Sequence, residues 1–357
     1  FITLPFYTVL YMDAFFRTLY RLFKTHKNLL NWVSSEEVSK NTDNSLKSYL
    51  RIFIPNYVVI ILLIIVGLIS NNFITYIMAF MFLTAPFILY LVSLDKTSNN
   101  KVSDSDLEQL EVLALDTWKY FYDNIKEEYH YLIPDNYQEN REKKLDLRTS
   151  PTAIGYSLTS VISAYEMNFI ELDEVFNLLG DILKSVDSLE KWNGHLYNWY
   201  NIENCQVLNP RFVSTVDSGN FIASVVIARE FLNKYENLEL VKLCDKLINN
   251  ANFKKLYTKR SVFSIGYDDN EGKLSIYNYN NFASEARLTS YLAICKGDVS
   301  VKHWFSLDKS LTMYKGHKGL ISWSGTSFEY YMPFLFMKNY PNTLLDEAYQ
   351  FAYFCQK

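Results

Sequence analysis

The sequence predicts an all-α protein in which a transmembrane helical hairpin precedes a larger domain of paired helices. Two long apolar runs joined by the short link Ser70-Asn71-Asn72 predict the hairpin. Apolar residues then recur at helical spacing from residue 107 almost to the end of the chain, which predicts the helical domain. Two alternating runs within residues 261–280 predict one small β-hairpin in that domain.

The predicted transmembrane hairpin occupies residues 49–94. Its first run is nearly pure hydrocarbon over residues 56–70, and its second run, residues 73–94, carries no charge. Together with residues 49–55 the first run reaches the roughly 20 residues that a helix needs to cross a bilayer, and the second run reaches that length by itself. A buried helical pair in a soluble protein is the alternative, but soluble core helices seldom stay free of charge over such a length.

The segment before the hairpin, residues 1–48, combines basic and aromatic residues. The two types alternate over residues 1–32, which indicates an interfacial helix or the end of an earlier span. An excess of Lys and Arg beside a span marks the cytoplasmic side, so the hairpin should begin and end there, with the larger domain cytoplasmic. The basic residues before and at the start of the hairpin are Arg17, Arg21, Lys24, Lys27, Lys40, Lys47 and Arg51.

A polar linker, residues 95–106, leads into the helical domain, residues 107–357. A closed toroid of six helical hairpins, an (α/α)6 fold, would need twelve helices. The sequence shows fewer, it starts at Phe1, and it ends in a helix that is still periodic. The expected fold is therefore an incomplete toroid, truncated at its C-terminus, in an excerpt of a longer protein. The predicted helices span residues 107–125, 150–165, 171–190, 218–236, 239–250, 282–296, 326–338 and 342–357.

Composition excludes several classes of function. A net charge of -4 with 17% aromatic residues argues against a nucleic-acid partner, which would require a basic stripe. The four Cys residues are scattered, so they indicate neither a metal site nor a disulfide framework, and they fit a reducing compartment. The sequence contains no nucleotide-binding, zinc-protease or serine-esterase motif.

The stretch WNGHLYNWYN, residues 192–201, crowds aromatic rings together with amides. A hydrophobic core would use aliphatic residues with few polar atoms. Rings with polar edges set among amides suit a ligand that is flat on its faces and hydroxylated at its rim, which describes a sugar. Packing beneath a loop is the alternative, and a single His among aromatic residues is more often structural than catalytic.

A second polar cluster surrounds Tyr137. It consists of Asp135, Asn136, Gln138 and Arg148. Turn chemistry and ligand contact account for this cluster equally well, because Asp-Asn after Pro is a common turn.

Three acidic residues lie in aromatic or small-polar surroundings. Asp217 could cap the following helix or be a carboxylate held ionised at the helix N-terminus. Glu285 follows two small residues, and Glu329 lies in so apolar a run that it should be at least partly buried, where a carboxylate must be paired or have a raised pKa. Glycoside chemistry needs two carboxyl groups across the scissile bond, and the sequence alone does not pair these three.

Several motifs follow one another in order through nearly all of residues 107–350. They are DNYQE (135–139), RTSPTAIG (148–155), WNGHLYNWY (192–200), PRFVSTVDSGN (210–220), FSIGY (263–267), ASEARL (283–288), KGDVSVKHWF (296–305), SWSGTSFEYYMP (322–333) and YPNTLLD (340–346). These motifs resemble those of the cyclic β-1,2-glucan synthases, and the basic start and the hairpin fit the same family.

The resemblance implies a large enzyme of the bacterial inner membrane. Such a synthase has an N-terminal glycosyltransferase domain that uses UDP-glucose, several membrane spans, a glucoamylase-like (α/α)6 domain, and a C-terminal phosphorylase-like domain. The (α/α)6 domain would close linear β-1,2-glucan into a ring by retaining transglycosylation, without a cofactor or metal. Its expected partners are β-1,2-glucan chains, the bilayer, and the N- and C-terminal domains of the same polypeptide.

The resemblance also implies roles for residues. Glu285 matches a catalytic glutamate, expected to act as general acid/base directly or through a substrate hydroxyl. Its partner belongs to a glycine-flanked motif that residues 1–357 do not contain, so this excerpt is expected to be inactive in isolation. The predicted substrate-binding residues are Asp135, Asn136, Gln138, Arg148, Trp192, His195, Tyr197, Trp199, Tyr200, Asp217, Asn220, Arg287, Trp323 and Glu329.

Two other functions remain open at this point. An endo-β-1,2-glucanase would resolve the reaction with water rather than with a sugar hydroxyl. A non-catalytic glucan-binding module on a membrane anchor would keep the aromatic groove without needing Glu285.

Overall fold

A computed structural model of the chain describes residues 1–27, Val38, 43–94 and 102–357. Contacts divide the chain into two compact units, Phe1–Lys101 and Val102–Lys357. The division falls within the predicted linker, of which residues 95–101 lie outside the described residues, as does most of 28–42 in the predicted basic segment.

The described part of the first unit is helical. A π-helical turn, Arg21–Thr25, follows the first helix. The turn between the last two helices uses Asn71 in the left-handed conformation, and the Asn72 side chain caps the last helix by accepting a hydrogen bond from the Ile74 N–H (3.0 Å). The helices are α1 (Leu4–Tyr20), α2 (Leu46–Ile52), α3 (Ile54–Ser70) and α4 (Phe73–Ser93).

Helix α4 is long and apolar enough to cross a membrane, with a mean hydropathy of 2.0 over its most apolar window. The first predicted span is not one straight helix, because α2 and α3 meet at Phe53 with a bend of 57°. Pro55, in the first turn of α3, accounts for the bend: it lacks an N–H donor and its ring excludes the preceding helical turn. The described residues thus hold one candidate span, or two if α2 and α3 form one broken span.

A buried amide compensates for a proline inside α4. Pro86 cannot donate to the carbonyl of Phe82, four residues earlier. The Asn56 side chain, fully buried on α3, donates to that carbonyl (3.1 Å) and to the Ile2 carbonyl (3.1 Å). An unpaired carbonyl in apolar surroundings costs free energy, so Asn56 stabilises α4 at the position where Pro86 interrupts its hydrogen bonds.

We expect Asn56→Leu to destabilise the first unit by about 1 kcal/mol, the net contribution of one hydrogen bond. In a Pro86→Ala background the cost should shrink, because the substituted alanine supplies the missing N–H to the Phe82 carbonyl. Thermal unfolding of the detergent-solubilised protein, run as a double-mutant cycle, measures the difference. The exposed Asn44 provides an Asn→Leu control. Equal costs in both backgrounds would show that Asn56 does not serve the Phe82 carbonyl.

The second unit is also mainly helical, which confirms the predicted fold class. Each predicted helix has a counterpart, and a short helix, α11, was not predicted. The helices are α5 (Asp104–Asn124), α6 (Pro151–Glu166), α7 (Leu172–Ser188), α8 (Thr215–Lys234), α9 (Leu238–Asn250), α10 (Arg287–Cys295), α11 (Lys302–Ser306), α12 (Ser327–Tyr331) and α13 (Leu344–Gln356).

Two helix starts differ from the prediction and affect the site. Helix α8 begins at Thr215 with Ser214 as its N-cap, so Asp217 lies in the first turn and is not the cap. Helix α10 begins at Arg287 rather than at 282, so Glu285 lies in the loop before the helix. The Ser284 hydroxyl in that loop accepts a hydrogen bond from the Ala286 N–H (3.2 Å), a local contact that competes with an earlier helical turn.

Helix α8 lies at the centre of the second unit. It packs against α6, α9 and α10, and most of its residues are buried. Gly219 allows α10 to approach, because a Cβ there would lie 1.9 Å from the Thr289 hydroxyl. A helix buried on several sides must carry small residues where neighbours cross it closely, so the Ser-Gly-Asn sequence 218–220 is needed for packing as well as for the site.

Short strands surround the helix ends. The predicted hairpin is present as β7 and β8, which pair antiparallel, and β5 extends it into a three-stranded sheet. A second hairpin, β10–β11, was not predicted. The strands are β1 (Arg148–Thr149), β2 (Lys191–Trp192), β3 (His195–Leu196), β4 (Tyr200–Asn201), β5 (Phe212–Ser214), β6 (Phe263–Ser264), β7 (Gly266–Asp268), β8 (Lys273–Leu274), β9 (Asn278–Tyr279), β10 (Leu311–Tyr314) and β11 (His317–Leu320).

Candidate active site

Glu285 carries the carboxyl group of the second unit whose pKa is raised furthest. Its side chain is half-buried in the loop before α10, and no donor among the described residues forms a hydrogen bond with its carboxyl group. Burial raises the pKa of Glu285 to about 7, and the nearby negative charges of Asp217 and Glu329 add to the effect. The structure therefore provides a carboxyl group that is about half protonated at neutral pH.

Two tyrosines that the sequence interpretation did not single out face the same charges. Burial, with the charges of Glu285 and Asp217, raises the pKa of Tyr156 on α6 to about 12. The pKa of Tyr279 on β9 is also raised, by burial first and then by Glu285, Asp217 and Glu329. Both phenols keep their protons at neutral pH, so they can donate hydrogen bonds to a ligand beside the carboxyl groups.

Asp217 is held by hydrogen bonds from different parts of the chain. The Thr152 hydroxyl, in the first turn of α6, donates to Oδ1 (2.6 Å). The Asn198 amide nitrogen lies 3.0 Å from Oδ2, placed to donate. Asn220 is buried and donates to the Thr152 hydroxyl (3.0 Å), so it supports Asp217 indirectly. Thr152 and Asn198 were not among the predicted site residues.

Trp199 and Arg148 meet because β1 and β4 are paired. The pairing joins Arg148 to Asn201, and it places the Arg148 guanidinium 4.0 Å from the centre of the Trp199 ring. Arg148 also forms an ion pair with Asp146 (3.0 Å). The cation covers one face of the indole, so a sugar could stack only on the opposite face.

Glu329 is buried, as the sequence predicts, and it organises the loop before α12. Its carboxylate accepts hydrogen bonds from the hydroxyls of Ser322 (3.0 Å) and Ser324 (2.8 Å), and from the backbone N–H groups of Trp323 (3.0 Å), Ser324 (3.1 Å) and Thr326 (3.2 Å). Burial by itself would raise the pKa of Glu329, but these bonds outweigh it and hold the pKa below its ordinary value. The carboxylate oxygens of Glu329 accept hydrogen bonds from the loop. Its effect on the site is therefore electrostatic, because its charge helps to raise the pKa of Glu285.

Trp323 lies near the three mutually interacting carboxyl groups of Asp217, Glu285 and Glu329, here called the carboxyl cluster. The residue is 57% exposed, and its ring lies 5.6 Å from the ring of Tyr279. An accessible apolar face therefore lies next to Tyr279, whose pKa is raised in part by the charge of Glu285. A sugar can stack on such a face.

The predicted cluster around Tyr137 forms a hydrogen-bonded loop. Asn136 donates to the Asp135 carboxylate (2.9 Å), and Gln138 donates to the Asn136 amide oxygen (2.7 Å). The Asp135 N–H donates to the Arg148 carbonyl (2.7 Å), which places the loop beside Arg148. Both interpretations of these residues remain compatible with this geometry.

Much of the stretch 192–201 packs internally, which disagrees with its predicted role as a groove lining. Tyr200 is fully buried and donates to the Glu190 carbonyl (2.6 Å). Tyr197 is buried and donates to the Asp269 carboxylate (2.8 Å). The half-buried Trp192 stacks on Tyr267 at 4.0 Å. The hydroxyls of Tyr197 and Tyr200 and one face of the Trp192 ring are used within the protein. Asn198 and Trp199 are the residues of this stretch that connect to Asp217.

His195, Arg287 and Asn220 also lie inside the protein. His195 is 2% exposed against Phe253, and burial lowers its pKa to about 4. Arg287 is 1% exposed and donates to the Tyr349 hydroxyl (2.9 Å) and the Phe282 carbonyl (3.2 Å). These contacts make His195 and Arg287 packing residues, which corrects their predicted contact with substrate.

Comparison with known proteins gives the context of this site. No family model matches the chain. Cyclic β-(1,2)-glucan synthase NdvB from Rhizobium meliloti (strain 1021) is 25% identical, over 94% of this chain and 17% of that protein. The chain is similar to one segment of a cyclic β-1,2-glucan synthase. That finding confirms the resemblance drawn from the motifs, and it shows that the chain spans under a fifth of the synthase's length.

Solved structures confirm the (α/α)6 architecture. An endo-β-1,2-glucanase from Chitinophaga pinensis superposes with a TM-score of 0.61 and 14% identity, over 71% of this chain and 66% of that one. A putative glucoamylase from Bacteroides uniformis superposes with a TM-score of 0.57 and 14% identity, over 71% of this chain and 65% of that one. At these identities the likeness concerns the fold.

Proposed function

We propose that the second unit acts on β-1,2-glucan within a membrane-bound synthase and closes the linear chain into a ring by retaining transglycosylation. The observation that carries the proposal is the carboxyl group of Glu285, half-protonated at neutral pH beside Asp217 and two protonated phenols. The similarity to NdvB supports the substrate class, and the glucanase that shares the fold was solved with sophorotriose and glucose.

Each group has a role that follows from its protonation. Breaking a glycosidic bond requires a proton on the leaving oxygen, which protonated Glu285 supplies, directly or through a substrate hydroxyl. Asp217, fixed by Thr152 and Asn198, accepts hydrogen bonds from sugar hydroxyls, and its negative charge stabilises positive charge that develops on the sugar ring. A retaining reaction also needs a carboxylate nucleophile, which the resemblance assigns to the glycine-flanked glutamate absent from residues 1–357.

Product analysis tests the proposal. Purified full-length protein is incubated with linear β-1,2-glucan, and the products are analysed by mass spectrometry. Ring closure gives glucans lighter by one water than linear chains of the same length. Shorter linear products would instead establish the hydrolase alternative, and binding without any new product would establish the glucan-binding module. Linear β-1,3-glucan serves as the substrate control.

The pH dependence of the reaction reports on Glu285. The required form is the protonated one, so kcat should fall as pH rises through about 7. Asp217→Asn removes a negative charge that helps to raise the pKa of Glu285, so the alkaline fall should move to lower pH. The measurement is kcat against pH for wild type and variant. A fall at unchanged pH in Asp217→Asn would contradict the electrostatic coupling of the two groups.

We further propose that the first unit anchors the protein in the bacterial inner membrane, with the second unit in the cytoplasm. Helix α4, the bent α2–α3 pair and the basic residues before them support this arrangement.

Cysteine labelling tests the topology, because all four cysteines of residues 1–357 belong to the second unit. Cys295 and Cys355 are exposed, so a membrane-impermeant maleimide should label them in inverted vesicles and not in intact cells. A variant with both replaced by Ser controls for labelling elsewhere. Labelling of intact cells would place the second unit outside.

A further inference from the structure

Both oxygens of the Asp217 carboxylate receive a hydrogen bond of defined direction. On the first side, the Thr152 hydroxyl accepts from the Asn220 amide (3.0 Å), which directs its single proton to Asp217 Oδ1 (2.6 Å). Asn220 is 2% exposed, so this side of the network ends inside the protein.

The second side ends on a ring of the site. The Trp199 indole N–H can only donate, and an ionised carboxylate can only accept. The Asn198 amide lies between them, so its oxygen accepts from Trp199 Nε1 (2.9 Å) and its nitrogen donates to Asp217 Oδ2 (3.0 Å). The Asn198 N–H donates to the Phe212 carbonyl (2.7 Å), which fixes the residue beside β5, the strand that leads into α8.

We propose that Asn198 is a positioning residue that couples Trp199 to Asp217, so that a sugar ring stacked on Trp199 and the carboxylate of Asp217 are held in one fixed relation. The inference rests on the proposed function for the sugar. The chain of bonds runs in one direction, from the indole N–H through the amide to the carboxylate, and Arg148 packs the indole from the face opposite to the ligand. Such a residue lowers the barrier by orienting others, without touching the reacting atoms.

A double-mutant cycle tests the coupling. Trp199→Phe keeps an aromatic face and removes the N–H, while Asn198→Leu removes the amide. Each should lower kcat about 10-fold with little change in KM, because either change interrupts the chain of bonds that ends in a hydrogen bond to a charged group. Because both changes break the same chain of hydrogen bonds, the loss of kcat in the double variant should be no larger than the loss in the more impaired single variant. Losses that multiply would overturn the proposal.

Matched controls separate positioning from packing. Trp118→Phe makes the same Trp-to-Phe exchange at a buried position of α5, and Asn233→Leu makes the same Asn-to-Leu exchange on the exposed face of α8. Both should leave kcat and the coupling unchanged.

A readout without substrate separates this inference from the proposed function. The indole N–H signal of Trp199 in a nitrogen-15 NMR spectrum is assigned by its loss in Trp199→Phe. It should shift on Asp217→Asn, and that shift should vanish when Asn198→Leu is already present. A Trp199 signal that still responds to Asp217→Asn in the Asn198→Leu background would refute the coupling, whatever the protein's activity.

Discussion

Glu285→Gln is expected to lower the rate of glucan conversion by about 10²- to 10⁴-fold, the usual contribution of a general acid. The substitution keeps the shape of the side chain and removes the acidic proton that would be transferred to the leaving oxygen. The carboxyl group forms no hydrogen bond within the described residues, so little structural support is lost with it. Binding of β-1,2-linked oligosaccharides, measured by calorimetry, should persist while kcat collapses.

The control for Glu285→Gln is Glu239→Gln, the same change at an exposed glutamate in the first turn of α9. It should leave kcat within experimental error. If Glu285→Gln still produced rings at the wild-type rate, Glu285 would not be the acid, and the candidate site would lose its catalytic interpretation.

Glu329→Ala is expected to destabilise the second unit by about 3 kcal/mol or more, because several buried donors lose their shared acceptor. Those donors are the hydroxyls and N–H groups of residues 322–326. Glu329→Gln should cost less, since its amide keeps one acceptor. Denaturant unfolding followed by circular dichroism measures both, with Glu142→Ala at an exposed loop position as the control.

The Glu329 contribution also has a defined pH dependence. Its folded pKa is depressed below the ordinary value of 4.5, so its stabilisation is present above that pH and is lost as pH falls through the folded pKa. Glu329→Ala should therefore remove part of the wild-type loss of stability in acid. A variant as stable as wild type at pH 7 would mean that the loop does not depend on this carboxylate.

The helices of the second unit were predictable because an amphipathic helix has apolar residues at a spacing of three to four positions, which is visible in the sequence. The burial of Glu329 was predictable for a similar reason, since the run FEYYMPFLFM surrounds it in sequence. The first residues of two helices were predicted less accurately, because Ser214 and Ser284 form local side-chain hydrogen bonds near the starts of α8 and α10. Helix α10 begins a few residues later than predicted, which leaves Glu285 in a loop.

Residue types alone did not show which polar aromatic residues face the site. Tyr197 is buried because Asp269 and Arg211, distant in sequence, use its hydroxyl. Conversely, Tyr156 and Tyr279 join the site through helix and strand packing that no local pattern reveals.

The sequence by itself determined the helical pattern, the apolar hairpin segments and the set of acidic residues available for chemistry. The tertiary structure decided the state of each carboxyl group. Among the residues that the structure describes, Glu285 has no hydrogen-bond donor, Asp217 has two side-chain donors, and Glu329 is bound by its own loop. The physical reason is that helix periodicity arises between residues a few positions apart. A pKa, in contrast, depends on burial and on charges contributed by segments far apart along the chain.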